Sequence, residues 1–595
     1  MKLSGLLPLI QDVADYGELV ATLERGLAAP GSGTLVDQGL GLISAARPYL
    51  VAALYQQLGR PIVLLTMRAE RASQWADQLR VWTGSGAIYP FPEPDALSYE
   101  RVPWARETIS DRLTALTALL RWQGDGGWAG ASAGHEPAES PLVPPLVVAS
   151  ARAFMHRTLP VREFRLGLRV YRQGQVLDLQ RTLERWVAHG YRPDTVVEEP
   201  GTFSRRGGLI DVFPPNLPWP VRIELFGDEI DSLRAFDPTT QRSKHRIESF
   251  SLAPASEALP RLASFAAERT ADLDLSLCHP PARMEYQQDR AYLEQGTHFR
   301  GIEFYLPFFY SHPATILDYL PQDGLCIVDD WPALMAHVMD VDHQAQTLQS
   351  DLVKAGELPA NFADSYVPYF PWEDLRQRLL SRALLVLGTG SGQDRPGNHP
   401  VGEAFSHGER YGGQIKRVLD GCQEMRDAGQ RVVLVTRQAS RISELLSERE
   451  ITAVPVQDIV APPAPRSLTL VQGTLAEGWV LHSEGAAGAS LLLLTDAEVF
   501  GWARPAPRRA RRSRPVAPET FFADVQPGSY VVHVEYGIGL FQGLIKMALG
   551  GGEREYLLVE YAAGDKLHVP VYQADRLSHY VGVSEHPPHV NRLGT

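Results

Sequence analysis

Apolar and polar positions follow different periods in different parts of the chain, and near the N-terminus short apolar runs alternate with stretches of helical spacing. The run Ile62–Thr66 has the composition of a buried strand, and a further strand is expected at Thr34–Val36. Residues Pro48 to Leu58 and Ala69 to Trp82 have the spacing of amphipathic helices. This alternation predicts an α/β layer over residues 1–150.

Between residues 151 and 255 the period changes to two, which is typical of strands. The apolar positions Val221, Ile223 and Leu225 alternate with Arg222, Glu224 and Phe226. Gly227 and Asp228 have the composition of a tight turn into a second strand, Ile230 to Phe236. The pattern predicts a β-rich segment built as a meander.

Mixed helix and strand spacing returns over residues 256–378, where Leu325–Val328 is predicted as a strand. Either a second α/β unit begins here or the first one resumes. Residues 379–500 predict a small α/β domain of strand–helix–strand units, with strands at Arg431–Thr436, Leu468–Gln472 and Leu491–Thr495 and a helix at Ser440–Arg449.

The last part of the chain changes composition twice. Six arginines fall within Arg504 to Arg514, and such a run repels itself, so residues 501–523 are predicted as a basic linker. Short strands with regularly spaced glycine turns follow over residues 524–595, which predicts a small β-barrel.

Composition narrows the class of protein. The net charge of −13 disfavours unspecific binding of the whole surface to a polyanion, so any DNA contact has to be local. No apolar run is long enough to span a membrane and no secretory signal is evident, which predicts a cytoplasmic protein. The three cysteines, Cys278, Cys326 and Cys422, exclude a disulfide framework and are expected in cores.

The segment after the first predicted strand is where a phosphate-binding loop would lie in a nucleotide-hydrolysing fold. Residues 37–48 contain glycines but no Gly-Lys-Ser/Thr, so no lysine would meet a nucleotide's phosphates and no hydroxyl would hold Mg²⁺. The pair Asp329-Asp330 follows an apolar strand and is either a remnant of a Mg²⁺-binding carboxylate or simply a polar strand end, the interpretation we favour. We predict no catalytic residues and no metal site.

Two stretches have the composition of contact surfaces. Between Gly190 and Pro214, arginines and aromatic residues flank a glycine turn, which is either an interface or a hairpin with core phenylalanines. The apolar strand Tyr530–Val534 is either barrel core or an edge that accepts a partner strand.

These stretches resemble the bacterial transcription-repair coupling factor family (Mfd), and the resemblance extends over nearly the whole chain. Its motifs are Leu97–Glu100, Ile109–Leu113, Arg205–Pro214, Phe226–Arg234, Gly301–Tyr305, Val532–Gly539, Glu555–Leu557 and Lys566–Val571. The first five are similar to a module shared with the excision-repair protein UvrB, and the others to a CarD-like domain that binds RNA polymerase.

The resemblance implies a set of partner-binding residues. Arg192 and Arg206, with Phe203 and Phe213, would contact the repair protein UvrA. The strand that contains Val532, His533 and Val534, with the turn at Gly537, would pair with an edge strand of the polymerase β subunit.

The resemblance also implies an architecture. It consists of a degenerate RecA-like α/β domain with a β-rich insertion, a small α/β domain and a C-terminal SH3/Tudor-like barrel. Family members continue into a motor that uses ATP and Mg²⁺ to translocate on DNA, whereas this sequence ends at Thr595. We therefore expect an adaptor without cofactors, either a fragment or a naturally truncated protein. The competing hypotheses are a UvrB-like helicase subunit and, more weakly, a CarD-like transcription regulator.

Overall fold

The computed structural model describes residues 1–28, 39–84, 87–123, 143–362, 366–390, 399–482, 491–501, 527–533, 537–549, 552–562, 565–570 and 577–579. Internal contacts divide the chain into two units, residues 1–503 and 504–595. The predicted strand Thr34–Val36 and the arginine-rich run 504–514 lie outside the described residues. Both units contain sheets, and the chain is a mixed α/β multidomain protein.

The first unit is built around an all-parallel sheet, the first sheet. Its strands lie in the order Ala383–Val386, Leu325–Val328, Ile62–Thr66, Leu146–Ser150 and Ile88–Phe91. Nearly all their residues are buried because helices cover both faces, as parallel sheets require. The longer helices of this region are Tyr16–Ala28, Arg47–Leu58, Ala69–Thr83, Arg106–Trp122, Pro280–Glu294, Trp331–Lys354 and Trp372–Leu380. Shorter ones are Ser4–Asp12, Ala151–Met155, Val161–Gly167, Pro260–Leu262, Ala263–Thr270, Ile302–Tyr305, Leu306–Phe309 and Ile316–Tyr319.

The strand Leu325–Val328 decides between the two expectations for residues 256–378. It pairs in parallel with Ile62–Thr66, so the first α/β unit resumes here after the β-rich insertion. Its other neighbour, Ala383–Val386, lies beyond the predicted boundary at residue 378. Residues 383–386 therefore complete the first sheet, although their sequence position suggested the following domain.

The β-rich segment forms the second sheet, in the order Ser243–Ile247, Glu229–Phe236, Val221–Phe226, Leu209–Val212, Thr202–Arg206 and Arg192–Pro193. All neighbours are antiparallel except the last pair. The predicted meander is confirmed, and Gly227 takes the positive φ that its turn requires. The helix Leu179–Ala188 and a two-stranded sheet of Arg169–Arg172 and Ser249–Leu252 flank it.

The third sheet contains the strands Phe405–Ser406, Trp479–Leu481, Leu491–Thr495, Arg431–Thr436 and Leu468–Gln472, in that order. The three strands predicted from sequence are confirmed, and the helices of this region are Pro400–Glu403, Ile415–Asp427, Ala439–Ser447 and Asp496–Phe500. Tyr49 of the first layer packs against Trp479 with ring centroids 4.7 Å apart. Trp82 and Phe405 join the same aromatic cluster, which connects the two α/β layers.

The second unit contains an antiparallel sheet ordered Lys566–Pro570, Gly552–Glu560, Gly537–Leu549, Tyr530–His533 and Leu577–His579. Its buried residues are Val531, Phe541, Leu557, Val559, Tyr561 and Val569. Closure of this sheet into the SH3/Tudor-like barrel stays a prediction. In the described part of the chain, no helix is both long and apolar enough to cross a membrane.

Candidate functional site

The second sheet has one face in a core and one face outside it. The side chains of its inner face, such as Ile223 and Leu233, form a core with Trp186, Tyr191 and Tyr171. Because side chains alternate along a strand, the residues between these point to the opposite side, which we call the outer face. The hairpin turns at 207–208 and 227–228 lie at one end of this face, called here the hairpin end.

Arg206 occupies the last position of the strand Thr202–Arg206 and is exposed on the outer face. Its Nη2 donates a hydrogen bond to the carbonyl of Thr195 at 2.7 Å. The hydroxyl of Ser204 donates to the same carbonyl at 3.1 Å. Gly207 turns the chain immediately afterwards with φ of 64°, a conformation that favours glycine. The guanidinium is thus anchored at one point and otherwise presented to solvent.

Arg192 lies on the short edge strand, directly opposite Thr202 in a parallel pair, and so shares the outer face with Arg206. The structure therefore places the two predicted arginines on the same face of neighbouring strands, with Arg192 opposite the first residue and Arg206 at the last residue of Thr202–Arg206. Burial, together with the positive charges of Arg192 and Arg106, lowers the pKa of His298 to about 4. Burial and the charge of Arg192 likewise lower the pKa of Arg106.

These neighbours were not found by sequence reasoning. Arg106 is 86 positions from Arg192 in the sequence and begins the helix Arg106–Trp122. It forms an ion pair with Glu199, which belongs to the loop beside Arg192. Arg106 and Arg192 come together only through the fold, so no local sequence motif could have predicted that they are neighbours.

The two predicted phenylalanines lie elsewhere than expected. Phe203 is 5% exposed and belongs to the inner-face core, where its ring contacts Trp186 edge-on at 5.6 Å. Phe213 is 7% exposed and packs with Val197 and Phe236 in a small cluster. Both rings are buried, so a partner that docks on the outer face would meet Arg206 rather than the phenylalanines. This matches the alternative in which the hairpin has core phenylalanines.

An ion pair stiffens the outer face between these features. Arg222 donates two hydrogen bonds to Asp211, at 2.7 and 2.9 Å, and its guanidinium lies over the ring of Phe236. The hydrogen bond with Asp211 raises the pKa of Arg222. Two parallel bonds between a guanidinium and a carboxylate fix their geometry, so Leu209–Val212, the strand paired with that of Arg206, is held firmly to Val221–Phe226.

The predicted polymerase-binding strand is paired on both sides within the chain. Val532 lies opposite Ile538 on one side and Ser578 on the other. His533 lies opposite Gly537 and Leu577. A polymerase strand could add to residues 531–533 only by displacing one of these two neighbours. The outermost strands of the described sheet are Lys566–Pro570 and Leu577–His579. Val534 lies outside the described residues.

The pair Asp329-Asp330 is more than a polar strand end. Arg47 donates to the Asp329 carboxylate at 2.7 Å, and Arg71 donates to its other oxygen at 3.2 Å. The Trp75 indole and the Thr66 hydroxyl complete the shell, each at 3.1 Å. Burial of the carboxyl raises its pKa, but the two arginines outweigh burial, so the pKa of Asp329 lies below its ordinary value. We call this group the Asp329 cluster.

The remaining candidates for chemistry are structural. All three cysteines are buried, as predicted, and burial raises the pKa of Cys326 and Cys422 to about 12. Such thiols are poor nucleophiles because the thiolate is the reactive form. Across the described ranges, no group of three or more His, Cys, Asp or Glu side chains is arranged to hold a metal ion.

Two segments of this α/β protein match known domain families, and one of them contains the sheet that presents Arg206. The UvrB interaction domain matches residues 170–257, which contain the whole second sheet. The CarD-like/TRCF RID domain matches residues 525–581.

Whole-chain relatives carry the name transcription-repair-coupling factor. The chain is 30% identical over 597 residues to that of Myxococcus xanthus, covering 93% of this chain and 46% of the relative. It is 25% identical over 610 residues to that of Bacillus subtilis (strain 168), covering 98% and 48%. The protein from Staphylococcus aureus (strain Mu50) is 24% identical over 569 residues. The resemblance found in the sequence is confirmed, and the chain spans about half the length of these relatives.

Proposed function

We propose that this chain is the adaptor part of a transcription-coupled nucleotide excision repair factor, which binds stalled RNA polymerase through one unit and UvrA through the other. The observation that carries the proposal is the presentation of Arg206 on the outer face of a sheet that lies within the matched UvrB interaction domain. Exposed arginines on rigid scaffolds are frequent anchors of protein interfaces.

The UvrA contact would use the arginine edge of the second sheet. Arg206 is fixed by Thr195 yet keeps donors for a partner, and Arg192 adds a second positive charge on the same face. The complementary surface would therefore carry carboxylates, because guanidinium groups bind carboxylates in paired hydrogen bonds. Phe203 and Phe213 would act indirectly, by holding the strands in position.

The polymerase contact would use the second unit, which contains the matched CarD-like/TRCF RID domain. The β subunit is the proposed partner, and residues Val532 to Val534 with Gly537 are the proposed contact region. Because both edges of residues 531–533 are paired, we propose contact through this turn region rather than simple addition of a strand there. As part of the same proposal, this unit forms an SH3/Tudor-like barrel and the protein acts in the cytoplasm.

ATP-driven translocation on DNA, with displacement of polymerase at lesions, is proposed only for a complete protein of the length of the relatives. For this chain we propose a degenerate RecA-like core. The Asp329 cluster supports this, because two arginines already neutralise the carboxylate that would bind Mg²⁺ in a nucleotide-hydrolysing fold. It also disfavours the alternative of a UvrB-like damage-verification helicase subunit.

Binding measurements with the purified chain test the adaptor hypothesis directly. The chain should bind UvrA and, separately, RNA polymerase in the absence of any nucleotide. It should also show no DNA-stimulated ATP hydrolysis. Turnover that is lost on changing Asp329→Ala would support the helicase alternative and contradict the adaptor.

The polymerase contact has its own substitution test. Val534→Arg places a charge in the proposed apolar contact and should abolish retention of RNA polymerase in a pull-down, because burying an unpaired charge is costly. Leu544→Arg is the matched control, since Leu544 is an exposed apolar residue of the same sheet outside the proposed contact. Retained binding by Val534→Arg, or equal loss with Leu544→Arg, would refute the assignment.

A further inference from the structure

The hairpin end of the second sheet exposes an aromatic ring that the arginine contact does not use. Phe226 is 83% exposed at the last position of the strand Val221–Phe226. Val176, on a segment beside the same hairpin, is 71% exposed. Single exposed apolar side chains are common on protein surfaces, whereas neighbouring ones that form a patch mark interaction sites.

The two side chains lie on the outer face, as Arg206 does. Phe226 lies opposite Glu229 across the hairpin, and Val176 lies opposite the same Glu229 on its other side. Directly opposed residues share a face, so Phe226 and Val176 flank Glu229 there. Arg206 lies opposite Leu209, and Leu209 lies opposite Glu224. Phe226 is two positions after Glu224 on the same strand, so it lies on the same face. Strands lie about 4.8 Å apart, so Phe226 is roughly 10 Å sideways from the Arg206 strand.

The ring is uncovered for a local reason. The adjacent turn carries glycines at 207 and 208, and the carbonyl of Gly208 accepts a hydrogen bond from the amide of Leu225 at 2.8 Å. Glycine has no side chain to lay over the neighbouring ring. A methyl group added at Gly208 would come within 3.2 Å of the Leu225 carbonyl, so the close approach of these strands itself favours glycine.

The hairpin end is also held rigidly, so the exposure is not that of a loose loop. The amide of Leu177 donates to the carbonyl of Asp228 at 2.7 Å. The amide of Gly174 donates to the carbonyl of Ile230 at 2.8 Å, and that of Ile230 donates to Gln175 at 2.9 Å. A third chain segment thus fixes the hairpin, which lowers the entropy lost when a partner binds it.

We propose that Phe226 and Val176 form an apolar anchor that extends the UvrA contact from Arg206 across the hairpin end. This inference rests on the proposed binding of UvrA by this module. An exposed aromatic residue and an exposed arginine on one face of a rigid sheet are the residue types most frequent among interface hot spots. The partner surface would be an apolar socket, with carboxylates on the side that faces Arg206.

Continuity with the proposed contact selects UvrA as the occupant. Val176 and Phe226 both lie inside residues 170–257, the matched UvrB interaction domain, and on the face that carries Arg206. A second copy of this chain is the competing occupant, and measurements of UvrA affinity and of self-association distinguish the two.

Affinity of the full chain for purified UvrA, measured by calorimetry, tests the proposal. Phe226→Ser should weaken binding on the order of 30-fold, the effect of losing an interface hot spot, and Phe226→Leu should weaken it less. Val176→Ser should weaken binding about fivefold. Val460→Ser is the matched control, because Val460 is 80% exposed and lies outside residues 170–257, and it should leave affinity unchanged. Thermal unfolding should be unaffected, since exposed side chains contribute little to stability.

Arg206→Ala in the same assay separates the two proposals. If Arg206→Ala weakens UvrA binding and Phe226→Ser does not, the apolar anchor is wrong and the proposed function stands. If the unaltered chain does not bind UvrA, both fail. If the chain self-associates and Phe226→Ser abolishes that association without changing UvrA affinity, a second copy covers the anchor and the proposal is overturned.

Discussion

Two arginines of this chain lie in opposite environments, one enclosed by the fold and one exposed at the surface. Arg47 is closed into the carboxyl end of the first sheet, where it donates to the side chain and the carbonyl of Asp329 and to the carbonyl of Leu42. Arg206 stands at the hairpin end of the second sheet and donates one hydrogen bond, to Thr195, within the described chain. The first guanidinium is enclosed by its own fold, whereas the second is exposed to solvent.

The physical reason lies in desolvation. Both charges of a buried ion pair lose their hydration on folding, and each compensates the other. Removal of one partner leaves the other charge buried without compensation, which strongly destabilises the fold. An exposed guanidinium keeps its water until a partner replaces it, and its contribution appears only on binding. Substitution of the two arginines should therefore affect different measurements, unfolding in one case and affinity in the other.

The largest expected effect is on stability, at Arg47. Arg47→Ala should lower the free energy of unfolding of the first unit by about 3 kcal/mol, because it leaves Asp329 buried with Arg71 as its remaining close arginine. Urea unfolding followed by circular dichroism measures this. The matched control is Arg60→Ala, because Arg60 forms an exposed ion pair with Asp323 and should contribute less than about 1 kcal/mol.

The pH dependence of the Arg47→Ala effect identifies the group responsible. The folded-state pKa of Asp329 is depressed, so the stability it contributes is present above its unfolded pKa of about 4 and is lost as pH falls through the folded pKa. Without Arg47, burial should raise that pKa, and protonation of the carboxyl then relieves the penalty in acid. The stability deficit should be larger at about pH 7.5 than at about pH 4.5. An equal deficit at both values would show that Asp329 is not its source.

The second effect is on affinity, at Arg206. Arg206→Ala should weaken UvrA binding by about 2 kcal/mol, or on the order of 30-fold, while the unfolding curve stays unchanged. Arg205→Ala is the matched control, since Arg205 is also exposed but occupies the alternate position of the same strand. If both substitutions weaken binding equally, positive charge alone explains the contact and the outer face has no special role.

The two regions also differ in how far the sequence predicted them. Runs such as Ile62–Thr66 and the turn Gly227-Asp228 were found correctly because period and turn chemistry are local properties. The place of Ala383–Val386 in the first sheet depends on pairing with Leu325–Val328, which no local spacing encodes. Sheet order is a property of the whole chain.

Site residues show the same limit. Arg206 was singled out by the family resemblance and is exposed, whereas the burial of Phe203 depends on which face of the sheet meets Trp186. The Asp329 cluster was invisible for another reason, since its two arginines are more than 250 positions away in the sequence. Sequence identified the carboxylate and the missing lysine, and only the fold shows what neutralises the charge.

The smallest expected effect concerns the turn that presents Arg206. Gly207 has φ of 64°, and an added methyl group would meet no atom within 4 Å, so Gly207→Ala tests backbone conformation alone. A left-handed alanine costs about 1 kcal/mol, which should appear as a loss of stability of that size and as up to fivefold weaker UvrA binding. Gly207→Asn should restore part of both, because asparagine tolerates this conformation. Equal losses for alanine and asparagine would mean that the presentation of Arg206 does not depend on the left-handed conformation of this turn residue.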